Sequence, residues 1–194
     1  MAQSNTNEIR RGIFDHVDAI WQRHPKKLVL PRHTTQPLPA DFRIIKIGPH
    51  TENPLDPWVY LSLGAWEHTR DNRSGIELML LAPSDHDRHI ATLSLVLDAH
   101  HERAGGLQPG DVVSLGASWL PGGNCDHLMV TLPYPYGPIL EQCDARGFPI
   151  RILWLLPITN SEADFVRRQG AEALENRLEA RAVDFMQANR RSLA

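Results

Sequence analysis

The stretch from Ile150 to Leu178, IRILWLLPITNSEADFVRRQGAEALENRL, leaves the chain few ways to fold. Ile150 to Leu156 is an apolar run of strand length, and it predicts a buried strand. Pro157 removes a ladder donor and is expected to end that strand. Thr159 and Glu162 then stand at capping-box spacing, hydroxyl to backbone and carboxylate back to the cap. Gly170 divides the C-terminal region into a short helix and a longer one. Leu174, Leu178, Ala182, Phe185 and Asn189 mark one face of the longer helix.

The rest of the chain supplies the partners of that strand. Ile9, Ile13, Val17, Ile20 and Trp21 predict a helix over Asn7 to Gln22, with Asn5 and Glu8 at its start and Pro25 after its end. Leu28 to Asp41 is broken by Pro31, Pro37 and Pro39 and reads as loop or edge structure. Strands are predicted over Phe42 to Ile47, Trp58 to Leu63 and Ile76 to Leu81. In the second, Trp58, Tyr60 and Ser62 alternate with Val59, Leu61 and Leu63. Gly64 to Gly75 is polar and turn-rich.

Ser84 or Asp85 is placed to cap a helix running to about Glu102, with Ile90, Leu93, Val96 and Leu97 as its buried stripe. Gly105-Gly106 stops it. Asp111 to Leu115 and Leu128 to Leu132 read as short strands around the Pro121-Gly122-Gly123-Asn124 turn, and Pro133, Pro135 and Pro138 punctuate the next loop. Runs of adjacent strands favour antiparallel or mixed pairing. The expected class is α+β: a single domain over 1–194, with a mixed, mainly antiparallel sheet flanked by helices and a C-terminal helix pair.

Composition narrows the partners. With 194 residues and 42% hydrophobic residues, one domain can bury a real core. A net charge of -3, with no basic run longer than a pair, offers no cationic face for nucleic acid or an anionic membrane. No apolar run approaches the ~20 residues of a membrane helix. With Cys125 and Cys143 as its only cysteines and no signal-peptide pattern, the chain is expected in the cytosol, where the sequon Asn72-Arg73-Ser74 carries no meaning.

No catalytic signature closes. His86 and His89, with Asp85, offer a two-histidine metal site, and a metal-dependent enzyme built on them is the alternative reading. His100 would lie about 16 Å along the helix from His89, too far to share an ion. His101-Glu102 begins like HExxH, but Gly105 occupies the second histidine's position. Cys125-Asp126-His127 sits beside a turn, Gly116-Ala117-Ser118 lacks the closing glycine of a nucleophile elbow, and Glu67 with Glu77 fixes no carboxylate spacing. No catalytic residue and no cofactor is expected. The aromatics that flank turns are the better candidates for recognition: Trp66 with Glu67, Trp119, Tyr134 and Tyr136. An exposed strand edge around Phe42 to Ile47 is a further place for another chain to pair.

Several pieces then fall in a telling order: Trp58-x-Tyr60-x-Ser62-x-Gly64, Gly75-x-Glu77-Leu78, Pro109-Gly110-Asp111-x-Val113, Leu132-Pro133, and Leu156-Pro157-Ile158-Thr159-x-x-Glu162-x-x-Phe165, with Gly170 and Leu174. In this order and spacing the chain, from about Pro54 to Ser192, resembles the suppressor of fused domain family. The resemblance implies a binding module and no enzyme. In animals the family's protein sequesters a transcription factor by gripping an extended peptide between two domains. Short single-domain bacterial members look like immunity proteins of polymorphic toxin systems, or proteins of unassigned role. The resemblance therefore implies a protein partner for this chain, a toxin among the possibilities.

Overall fold

The computed structural model of the chain describes residues 2–32, 34–35, 37–68 and 73–194. Asn72 of the sequon lies outside them, as do Thr69 to Asp71 of the polar connection before Gly75. The axis of the fold is strand β8, Phe148–Ile158. Ile150, Ile152, Trp154, Leu156 and Ile158 point to one face of the sheet, and Leu153 and Leu155 to the other. Both faces are apolar, so both must be covered.

Before β8 come β1 (Lys26–Val29), β2 (Arg43–Ile47), β3 (Trp58–Leu63), β4 (Gly75–Ala82), β5 (Val112–Ser114), β6 (His127–Thr131) and β7 (Gln142–Ala145). They form one eight-stranded sheet in the order β1-β2-β3-β4-β8-β6-β5, with β7 pairing to β8 outside that path. Among the described residues only β4 and β8 run parallel; the other strand pairs there are antiparallel. The sheet is therefore mixed and mainly antiparallel, as the runs of adjacent strands predict.

Helix α1 (Ala2–Ile20) packs on one face together with α4 (Asn160–Gln169) and α5 (Ala171–Ala180). Helix α2 (Asp87–Glu102) covers the other through Ile90, Leu93, Val96 and Leu97. The short α3 (Pro138–Glu141) leads into β7. The α+β class with its C-terminal helix pair is what the structure has. Among the described residues, no helix is long and apolar enough to cross a membrane.

Local departures from the sequence reading have physical causes. Pro157 does not end β8. The strand continues to Ile158, with Leu128 opposite Pro157 on β6. The Pro157 carbonyl accepts from Arg190, away from β6. A residue's N–H and C=O leave a strand on the same side, so the missing donor also falls away from β6, past the last β4 pair at Trp154. No ladder bond is lost.

His86, and neither Ser84 nor Asp85, caps α2: its Nδ1 accepts from Arg88 N at 3.0 Å. The β7–β8 hairpin turns on Arg146 and Gly147, both at positive φ (59° and 88°). β2 lies between β1 and β3, so Phe42 to Ile47 offers no free edge. The last helix stops at Ala180, short of Phe185 and Asn189, and is no longer than α4.

Candidate binding surface

The end of α5 builds a groove. Val183 N donates to Leu178 O and Ala182 N to Glu179 O. This is the paired bonding of a Schellman stop, with Ala182 at the left-handed position (φ 46°) that glycine usually fills. The chain reverses there, and residues beyond it lie back over the sheet. Leu178 and Val183, brought together by the stop, join Tyr134, Trp154, Leu156 and Phe185 around an open groove of about 680 Å³. Phe185 stands edge-on to Trp154, ring centres 5.3 Å apart.

The groove has a sign. Glu172, Glu175 and Glu179 follow one stripe of α5 and rim it. Glu175 is committed internally: it accepts from Thr131 Oγ1 and, at 3.1 Å, from the Tyr134 hydroxyl. Glu172 and Glu179 are exposed and make no ion pair among the described residues. Trp154 lines the groove and is 3% exposed, and its buried indole N–H has no hydrogen-bond partner among the described residues.

The returning segment is pinned. Asn124 N donates to Ala188 O (3.0 Å) and Asn124 Nδ2 to Arg190 O (2.6 Å). A Cβ on Gly123 would come within 2.4 Å of the Ala188 carbonyl, so glycine there lets the two backbones touch. Arg190 then enters the protein and meets Glu162.

The sequence-derived binding residues are not gathered in one place. Tyr134, 56% exposed, lies on the groove. Tyr136 is half-buried, edge-on to Trp21 at 4.9 Å, and burial raises its hydroxyl pKa. Trp119 is buried in the core under α2, near His89. Trp66 packs on Phe148. Glu67 pairs with Arg10 of α1; burial raises its pKa against that cation's pull. Sequence reasoning reads Trp154 as core and Phe185 as a helix face, and it misses the glutamates altogether. The spacing of Glu172, Glu175 and Glu179 is the local signal that points to the rim.

The groups that would suggest catalysis are absorbed by the fold. Glu77 is fully buried and accepts from Ser62 Oγ and from the backbone of Gly64 and Ala65. Burial pushes its carboxyl up to about 8 against those bonds. His89 is buried against Tyr60 and Trp119, which drives its pKa down to about 4, while His86 is spent on the helix cap. Among the described residues no three histidine, cysteine or acidic side chains are grouped to hold a metal. Cys125 is a free, buried thiol whose pKa burial raises.

A family model described as Suppressor of fused protein (SUFU) matches residues 39–191, starting ahead of the Pro54 at which the motifs begin. The fold is similar to the crystal structure of a protein assigned as a SUFU (suppressor of fused protein) homologue from Neisseria gonorrhoeae FA 1090. The TM-score is 0.82 at 29% identity, over 95% of this chain and 96% of that one. It is also similar to the Sufu-Fu complex crystal structure (TM-score 0.69, 15% identity, 94% and 91% covered). Drosophila Suppressor of Fused gives a TM-score of 0.67 at 16% identity, with 93% of this chain matching 50% of that longer one. At these lower identities the likeness is one of fold. No curated protein matches the chain.

Proposed function

The chain belongs to the suppressor of fused protein family, and from that premise we propose that it is a non-catalytic protein-binding domain whose binding site is the groove between α5, Tyr134 and Phe185. The observation that carries this reading is the open groove of about 680 Å³ that Tyr134, Trp154 and Phe185 line with aromatic rings. Amphipathic aromatics around a pocket are what protein interfaces are built on. That one structural relative is a Sufu-Fu complex agrees with a protein partner. In this reading Tyr134 contacts the partner, while Trp66, Glu67, Trp119 and Tyr136 hold the scaffold.

The finer form of the reading is an immunity protein of the cytoplasm that neutralises a cognate toxin. The net charge of -3 and the acidic rim support it, because an acidic inhibitor is steered toward a basic target. The test is affinity capture from the native cell with wild-type chain and with Tyr134→Ala/Phe185→Ala. Specific protein capture by the wild type, lost in the variant, is expected. Equal capture by both overturns the groove as the site. A toxin partner is expected to arrest growth when expressed alone and to be silenced by co-expression; a captured partner that is harmless alone overturns the immunity role.

A further inference from the structure

We propose that the occupant of this groove is a segment of the partner carrying two basic side chains that bracket a large apolar one. The inference rests on the groove being the binding site.

Two features select this class. Glu172 and Glu179 are seven residues apart on α5, which is about 10 Å along the axis at 1.5 Å per residue. Both are exposed and free of ion pairs among the described residues, so their charges remain available to a visitor. An extended chain covers that span in about three residues, so cations three or four positions apart reach both. Between them lie Trp154, Leu156, Leu178 and Phe185, an apolar trough that takes one large side chain.

Glu175 is held in place by Thr131 and Tyr134, one bond to each of its oxygens.

The test uses the full chain and a fluorescein-labelled peptide, Gly-Lys-Leu-Phe-Leu-Lys-Ser-Gly, followed by anisotropy. A second peptide replaces both lysines by glutamate, and a third replaces Leu-Phe-Leu by Gly-Ser-Gly. The lysine peptide is expected to bind the wild type and to weaken as salt rises. The other two are expected to bind at least about tenfold more weakly. Glu172→Gln/Glu179→Gln should cost the lysine peptide about tenfold, and Glu172→Lys/Glu179→Lys should invert the preference between lysine and glutamate peptides. Both substituted positions are on the surface, and circular dichroism checks that the variants fold.

Equal binding of the lysine and glutamate peptides, or no binding of the lysine peptide to folded wild type, overturns the inference. Failure here is separable from failure of the binding reading. If the captured partner is lost in Tyr134→Ala/Phe185→Ala but kept by Glu172→Gln/Glu179→Gln, the cationic segment is wrong and the groove stands. If capture survives in both, both are wrong.

Discussion

Arg190 and Glu162 form a bidentate ion pair inside the protein, Nη1 to Oε1 at 2.7 Å and Nη2 to Oε2 at 2.6 Å, with side chains 4% and 0% exposed. Glu162 also accepts from Thr159 N (2.9 Å) and Leu193 N (3.0 Å), and Arg190 Nη2 also donates to Pro157 O (3.0 Å). One carboxylate therefore closes the cap of α4 and ties down the segment that forms one wall of the groove. Burial works to raise the Glu162 pKa, but the bonds from Arg190 and Thr159 hold it below the ordinary value.

Removing one partner strands the other. Arg190→Met is expected to destabilise the fold by about 3–5 kcal/mol in urea unfolding, because Glu162 loses its counter-ion in a dry site. Glu162→Leu/Arg190→Leu should recover part of that loss. Limited proteolysis of Arg190→Met should cut within residues 181–189 before anywhere else. A loss below about 1 kcal/mol would mean the pair is open to water.

Ala182 occupies a left-handed position without being glycine. Ala182→Gly relieves a strain of about 1–2 kcal/mol and gives back part of it as unfolded-chain entropy. The expected net gain is up to about 1 kcal/mol, read as a higher Tm, with peptide binding unchanged.

Two kinds of buried group set opposite pH limbs. His89 and His100 have pKa values lowered by burial to about 4. Each favours the neutral form when folded, so its contribution is full above its ordinary 6.5 and is lost as pH falls toward 4. Glu77, raised by burial to about 8, contributes fully below its ordinary 4.5 and loses that contribution as pH rises through 8. The two limbs overlap, and because two histidines oppose one glutamate there, the contribution of these three groups should peak near pH 6.5. His89→Leu should flatten the acid limb. Glu77→Gln should flatten the alkaline limb, at lower overall stability, because its NH₂ would face a backbone N–H. Unfolding free energies across pH check both.

Gly12 of α1 faces β7 so closely that a Cβ would lie 2.8 Å from the Ala145 Cα. Gly12→Ala must push helix and strand apart, at an expected cost of about 1–3 kcal/mol. Because this contact is remote from α5, peptide affinity should not change, which separates a stability effect from a binding effect.

What was legible in the sequence is what is local. Thr159 and Glu162 are three residues apart, and their capping box is present as the spacing predicts. The alternation of Trp58 to Leu63 divides as expected between the two cores. What was hidden depends on distant partners or unusual backbone. Nothing near Arg190 announces Glu162, 28 positions away. The helix stop at Ala182 lacks its usual glycine, and the β7–β8 turn uses Arg146 where a left-handed residue is seldom arginine. The groove exists only because that unannounced stop folds Phe185 back onto Trp154.

The most direct measurement is site-specific photo-crosslinking in the native cell. A photoreactive residue at Asn176, exposed on the groove's rim, is compared with one at Leu95, exposed on α2 across the sheet. Binding in the groove predicts a protein adduct from Asn176, none from Leu95, and loss of the adduct in Tyr134→Ala/Phe185→Ala. An adduct from Leu95 alone, or one from Asn176 that persists in that variant, would contradict it.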